Sequence, residues 1–106
     1  MEEKPEKSMR ADKPKDEWAE SMLRVAQHHD ADAFSELFSH FGPKVKAYGL
    51  SLNSMHTSPE MADELVQEVV IKVWEKARFF KPEKANVSTW IFAIARNCRI
   101  DYLRKM

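Results

Sequence analysis

Apolar residues recur every three to four positions through most of the chain from Trp18 to Leu103, the spacing of helices that bury one face. The β-branched run Val69-Val70-Ile71 falls within this helical period and does not alternate as a strand would. We therefore predict an all-α fold, a compact bundle of three to four helices.

The amino-terminal end differs in composition from the rest of the chain. Residues 1–16 hold few apolar side chains, so we predict that they form a disordered tail and that the folded domain spans 17–106. Trp18 and Met22 begin the apolar stripe of a first helix, which is predicted at 16–28.

The second helix is predicted from an apolar stripe that runs from Phe34 to Leu52. Asp30 or Asp32 can cap its amino-terminal end, because a short carboxylate accepts hydrogen bonds from the first backbone N–H groups. Pro43 has no backbone N–H to donate, so we expect it to kink or divide this helix.

Start and stop signals define the last two helices. Ser58 and Pro59 suit the N-cap and first-turn positions of a third helix, which should end near 77–78. Residues 79–87 lack helical periodicity and are predicted to be a loop, with Ser88 as the cap of the last helix.

Three residues on the helical stripes are predicted to lie in the core. Trp74 and Trp90 occupy positions where the stripes need bulk, and Cys98 fits as a small apolar residue. The single cysteine cannot form an internal disulfide, which favours a reducing cytoplasm.

The sequence contains no specific catalytic or metal-binding pattern. His28 and His29 are adjacent, so on a helix they point about 100° apart and make a poor metal pair. No apolar run reaches the roughly 20 residues of a membrane-spanning helix. We expect no enzyme activity, no cofactor and no membrane span.

Charge is divided unevenly along the chain. Residues 1–70 hold 8 Lys and Arg against 14 Asp and Glu, a net charge of −6, whereas residues 71–106 hold 9 against 3, a net charge of +6. A cluster of cations is typical of a surface that binds a polyanion, so the second half is predicted to contact nucleic acid.

Three motifs follow one another in the second half of the chain. They are Leu65-Val66-Gln67-Glu68, Phe80-Lys81-Pro82-Glu83 and Trp90-Ile91-Phe92-Ala93-Ile94-Ala95-Arg96-Asn97. As a set they resemble region two of the bacterial extracytoplasmic-function (ECF) sigma factors, and the likeness spans about residues 17–106.

The resemblance implies a helical domain that binds the core enzyme of RNA polymerase and helps to melt the minus-ten promoter element. In that family the third helix docks on the clamp coiled coil of the β′ subunit, through residues that here would be Asp63, Glu64, Gln67 and Glu68. Exposed acids beside apolar positions also suit a basic, amphipathic partner on physical grounds. The alternative is an ordinary solvated acidic face.

The same resemblance implies that a base of the single-stranded non-template DNA is flipped into a pocket of Phe80, Phe92 and Asn97. Unstacking a base costs a few kcal/mol and stacking it on a ring returns about 1–3 kcal/mol, so aromatic and phosphate contacts together could trap an open strand. Phe79 and Phe80 are adjacent, so one of them should pack inward, and Phe92 could instead be core. The further residues expected to contact DNA are Lys76, Lys81, Lys84, Asn86, Arg96, Arg99, Arg104 and Lys105.

Some positions depart from the family pattern. Ala85 stands where glycine is common, Val87 where an aromatic residue is common, and Glu64 where aspartate is usual. The helical pattern still runs at Leu103, so we expect a longer parent with a further domain that reads the minus-thirty-five element. An inhibitory anti-sigma factor is an expected partner.

Two other functions fit the residues. A duplex-DNA-binding regulator would insert its last helix into the major groove and would prefer double-stranded sites. A helical protein adaptor would use the basic segment only for solubility. Loss of DNA binding on Lys→Glu changes in 81–105, with the fold intact, would exclude the adaptor.

Overall fold

The computed structural model describes residues 14–51 and 58–105, which form four α-helices and one 3-10 turn. In chain order they are α1 (Pro14–His28), α2 (Ala31–Ser51), α3 (Pro59–Lys76), the turn (Ala77–Phe79) and α4 (Val87–Arg104). No strand occurs in these two stretches, and the predicted all-α fold is confirmed.

Helix α1 begins earlier than the sequence predicts. Residues 14–16 belong to the helix and not to the predicted tail, because Pro14 suits a first turn in which its missing N–H needs no partner. The rest of the predicted tail, residues 1–13, lies outside the described part of the chain. Met22 and Val25 of this helix are buried, as its apolar stripe requires.

The connection between α1 and α2 is only two residues long. His29 adopts the left-handed conformation, with φ of 51°, and its backbone N–H donates to the Val25 carbonyl oxygen at 3.0 Å. Asp30 then caps α2, since its Oδ1 accepts from the backbone N–H of Ala33 at 3.0 Å. Of the two predicted caps, the structure therefore uses Asp30.

Helix α2 continues without a break through Pro43, so the predicted division is wrong. A proline inside a helix removes the hydrogen bond to the carbonyl four residues earlier, here that of Ser39. Ser39 and Pro43 both lie on the exposed side, where water can satisfy that carbonyl. Phe41 and Val45 stay buried on either side of the proline and hold the helix to the core.

Helix α3 starts as predicted. The Ser58 hydroxyl oxygen accepts from the backbone N–H of Met61 at 3.2 Å, and Pro59 is the first helical residue. The helix crosses α2 closely at Gly49, where an added Cβ would stand 3.1 Å from the Leu65 Cδ2. A larger residue at position 49 would therefore require the Leu65 side chain to shift by a few tenths of an ångström.

Helix α4 is capped by Asn86, and the predicted cap, Ser88, is wrong. The Asn86 Oδ1 accepts from the backbone N–H of Thr89 at 2.8 Å, with Asn86 in an extended conformation. Ser88 lies inside the first turn and is exposed. Since asparagine and serine are both good caps, the sequence alone could not separate them.

The core lies where the four helices meet. The prediction that Trp74 lies in it is wrong, because this side chain is 37% exposed and packs at the edge against the rings of His29 and Phe34. Trp90 is half-buried against Phe80. The largest fully buried side chains are Met22, Leu37, Ile91, Val25, Val45, Val69, Val73 and Val87.

Candidate functional site

The polar side of α3 carries the four residues predicted to bind a protein partner. Asp63, Glu64, Gln67 and Glu68 are all exposed. Their spacing places them on one side of the helix, which we call the acidic face, while Leu65 and its apolar stripe are buried. The structure thus brings these four residues together as predicted.

Two acids of the acidic face lie close to neighbouring helices. The Lys46 ammonium of α2 lies 3.0 Å from the Asp63 carboxylate, with both side chains partly exposed. Tyr102 of α4 lies near Glu64. Desolvation raises the pKa of Tyr102 above its ordinary value, and the Glu64 carboxylate acts in the same direction. The Tyr102 hydroxyl is therefore neutral at neutral pH.

Sequence reasoning missed both of these neighbours, Lys46 and Tyr102. Neither lies near the acidic face in the sequence, and a contact between helices leaves no local pattern. The one signal in the sequence was the charge of Lys46, because few charged residues follow it on α2. That charge does not indicate which helix Lys46 contacts.

Cys98 is buried on α4, which confirms its predicted place in the core. Burial raises the pKa of its thiol, and the nearby carboxylate of Glu68 raises it further. The thiol is therefore protonated at neutral pH and is a poor nucleophile.

The cations around the turn and loop after α3 are exposed. Lys76 ends α3, and Lys81 and Lys84 lie in the loop that follows the 3-10 turn. The loop is held by its own backbone, since the N–H of Lys84 donates to the Lys81 carbonyl at 2.9 Å. These three predicted DNA contacts present their charges to solvent.

The two adjacent phenylalanines face opposite ways, and the exposed one is not the one predicted to meet a base. Phe80 is only 4% exposed and packs edge-on against Trp90, with 5.6 Å between ring centroids. Phe79 is 58% exposed, and the Arg78 guanidinium stacks 4.8 Å from its ring centre. The 3-10 turn directs Phe80 into the core, so its ring is not accessible to a base in this conformation.

Phe92 and Asn97 do not join Phe80 around a common cavity. Phe92 is half-buried on α4 and packs edge-on against Tyr48 of α2 at 5.6 Å. Asn97 follows five positions later, so its side chain points about 140° away around the helix, and it is exposed. The predicted three-residue pocket is therefore not assembled in the described part of the chain.

The remaining residues predicted to contact DNA differ in their exposure and in their neighbours. The Asn86 oxygen serves as the cap of α4. Arg104 lies 3.8 Å from Asp101, and Lys105 faces Glu64 and Glu68 across a groove. Arg99 is half-buried, and Arg96 is exposed.

None of the helices in the stretches 14–51 and 58–105 has the length and apolar character to cross a membrane.

Comparison with known proteins gives consistent matches. Residues 37–106 match the family sigma-70 region 2. The chain is 47% identical over 89 residues to the ECF RNA polymerase sigma factor RpoE of Cereibacter sphaeroides, covering 84% of this chain and 48% of that protein. It is 44% identical over 46 residues to a probable RNA polymerase sigma factor of Haemophilus influenzae, covering 43% of this chain and 23% of that protein.

A solved structure has the same fold. The crystal structure of Rhodobacter sphaeroides SigE in complex with the anti-sigma ChrR matches with a TM-score of 0.77 and 46% sequence identity. The match covers 87% of this chain and 54% of SigE. The chain thus spans about half the length of RpoE and of SigE.

Proposed function

Because the chain belongs to the sigma-70 region 2 family, within the ECF group of sigma factors, we propose that it binds RNA polymerase core and helps to open promoter DNA. It would act without catalysing a reaction of its own. The partner surface on the polymerase is the β′ clamp coiled coil, and the nucleic acid is the single-stranded non-template minus-ten element.

The acidic face of α3 is the single observation that carries this proposal. All four of its polar residues are exposed, and Asp63 is paired with the Lys46 ammonium at 3.0 Å. This ion pair is itself exposed, so it costs little to rearrange when a partner docks. A basic, amphipathic coiled coil complements such a face in both charge and shape.

The exposed cations supply the proposed strand-binding surface. Lys76, Lys81, Lys84 and Arg96 carry charge without a close carboxylate of the described residues within ion-pair distance. Each phosphate they neutralise releases a counterion, which favours binding at low salt. Asn97 offers both a donor and an acceptor to a base edge.

We further propose that an anti-sigma factor binds this protein and that it works in the cytoplasm, where RNA polymerase acts. SigE, which matches this chain in fold, is found in complex with the anti-sigma ChrR. An inhibitor that covered the acidic face would compete directly with the polymerase.

The docking assignment is tested with Glu68→Lys and Gln67→Ala. We expect Glu68→Lys to weaken binding to an isolated β′ coiled coil about tenfold or more, because it places like charges in contact. Gln67→Ala should weaken binding by a smaller factor, since it removes a neutral hydrogen-bonding group. Isothermal titration calorimetry at about 0.1 M salt measures both affinities.

Glu36→Lys is the matched control. Glu36 is exposed on α2, so this change alters the net charge by the same amount away from the acidic face. Its affinity should stay within about twofold of the parent, as for other surface changes. Unchanged affinity in both Glu68→Lys and Gln67→Ala would contradict the docking assignment.

A further inference from the structure

We propose that the groove between α3 and α4 extends the docking surface onto α4 and receives one basic, amphipathic helix of the partner. This inference rests on the proposed function, because it names the part of the surface that the partner helix enters. It adds Asp101, Tyr102 and Lys105 of α4 to the residues that contact the partner.

The groove has the form of a helix-binding site. Its volume is about 360 Å³, and it runs beside α3 from Glu64 to Ile71 and beside α4 from Cys98 to Lys105. Each side is about two helical turns long, or roughly 10 Å. Two turns of a partner helix fit this length and would place apolar side chains at i and i+3 or i+4 in the groove.

Apolar surface lies inside the groove. Leu65 and Cys98 are nearly buried, whereas Ile71 is 53% exposed and Tyr102 is 36% exposed. Each of these two exposed apolar side chains gains free energy when a partner covers it, at about 25 cal/mol per Å² of apolar area. The groove therefore offers anchors as well as charge.

The charge of the groove favours a basic partner helix over an acidic one. Glu64, Glu68 and Asp101 line it with three carboxylates, against the single ammonium of Lys105. A helix with lysine or arginine beside its apolar stripe would place cations near these carboxylates, whereas an acidic helix would be repelled. Lys105 could pair with an acid of the partner and so fix the direction in which the helix lies.

Glu64 of α3 and Tyr102 of α4 lie on the two walls of the groove. A partner helix seated there would contact α4 as well as α3. Because α4 also carries Arg96 and Asn97, the exposed residues proposed to meet DNA, partner binding would hold the DNA-contacting helix in place. The groove would thus connect polymerase binding to strand binding.

Asp101→Lys and Tyr102→Ala test this inference in the 106-residue chain. Binding to the isolated β′ coiled coil should weaken about tenfold for Asp101→Lys, through charge reversal on the wall of the groove. Tyr102→Ala should weaken it about five- to tenfold through loss of an aromatic contact. Affinities are measured by calorimetry, and thermal unfolding of each variant confirms that it is folded.

Glu20→Lys is the matched control for Asp101→Lys. Glu20 lies 3.8 Å from Arg24 in an exposed pair on α1, and Asp101 lies 3.8 Å from Arg104 in a similar pair on α4. Both changes break one exposed ion pair and alter the net charge equally, so only the position differs. Glu20→Lys should bind the coiled coil within about twofold of the parent.

Three results would overturn the inference. If both groove variants bind like the parent while Glu68→Lys binds weakly, the partner docks on α3 alone and the proposed function stands. If Glu68→Lys also binds like the parent, the proposed function fails together with the groove. Sedimentation measurements add a third such result, since a dimer of the chain that Asp101→Lys abolishes would assign the groove to a second copy.

Discussion

Phe79 and Phe80 are neighbours with opposite surroundings, and this separates their expected roles. Phe79 is exposed and stacked by Arg78, so its ring is available to a base. Phe80 lies in the core against Trp90, so a base could reach its ring only after it had left the core. In the described conformation, Phe79 is the ring that can stack on a captured base.

We predict that Phe79→Ala weakens binding to single-stranded DNA by about 1–3 kcal/mol, the value of one base stacked on a ring. Its free energy of unfolding should change little, because the side chain is exposed. Phe80→Ala should instead lower the free energy of unfolding by about 3–5 kcal/mol, through loss of a buried ring. Fluorescence anisotropy with a labelled oligonucleotide and urea unfolding measure the two effects.

The two variants are controls for each other, because each truncates one of two adjacent phenylalanines. Stable folding of Phe80→Ala with a selective loss of DNA affinity would contradict the assignment. That result would mean that Phe80 turns out of the core when DNA binds.

Part of the difference between Phe79 and Phe80 could be predicted from the sequence. Adjacent residues near a helix end point in different directions, so one inward and one outward ring was predictable from the pair alone. Which ring faces inward depends on the 3-10 turn at Ala77–Phe79, and such a turn has no strong sequence signal. Phe92 and Asn97 lie apart for a simpler reason, because side chains five positions apart on a helix point about 140° away from each other.

Among the features of the helices, the N-caps are defined most clearly by the structure. Asn86, and not Ser88, accepts the backbone N–H of Thr89 at the start of α4. Asn86 was also expected to contact DNA, and its oxygen is already used in this cap. Its amide nitrogen is the group that remains to donate to a strand.

We predict that Asn86→Ala lowers the free energy of unfolding by about 1 kcal/mol, as removal of an N-cap usually does. Ser88→Ala is the matched control, because Ser88 is exposed in the first turn, and it should change stability by less than about 0.5 kcal/mol. Chemical unfolding followed by circular dichroism measures both. A larger loss for Ser88→Ala than for Asn86→Ala would show that the cap is misassigned.

The apolar stripes predicted the positions of the helices well. Ser58 and Pro59 marked the start of α3 because two independent signals coincided there. Pro43 misled the prediction, because its effect depends on whether tertiary contacts hold the helix on both sides. Burial of Phe41 and Val45 supplies those contacts, and no local pattern reports them.

Across the whole molecule, the division of charge along the sequence follows the fold only in part. The acidic face lies in the first three turns of α3, and the exposed cations lie at the end of α3 and in the loop that follows, as the charge counts suggested. Lys105 is an exception, since it faces Glu64 and Glu68 across the groove instead of joining the other cations. The location of Lys105 could not be predicted from its position in the sequence. The packing of α4 on α3 decides which side of α4 meets the acidic face.

We propose that this domain captures one exposed strand of promoter DNA, and its preference between the two strands checks this proposal. A preferred sequence is first selected by the 106-residue chain from random single-stranded oligonucleotides, and affinities are then measured for that strand, its complement and their duplex. We predict that the selected strand binds about tenfold or more tightly than the complement or the duplex, since the duplex must first be unstacked. Equal or tighter binding of the duplex would contradict the claim and indicate a reader of double-stranded DNA.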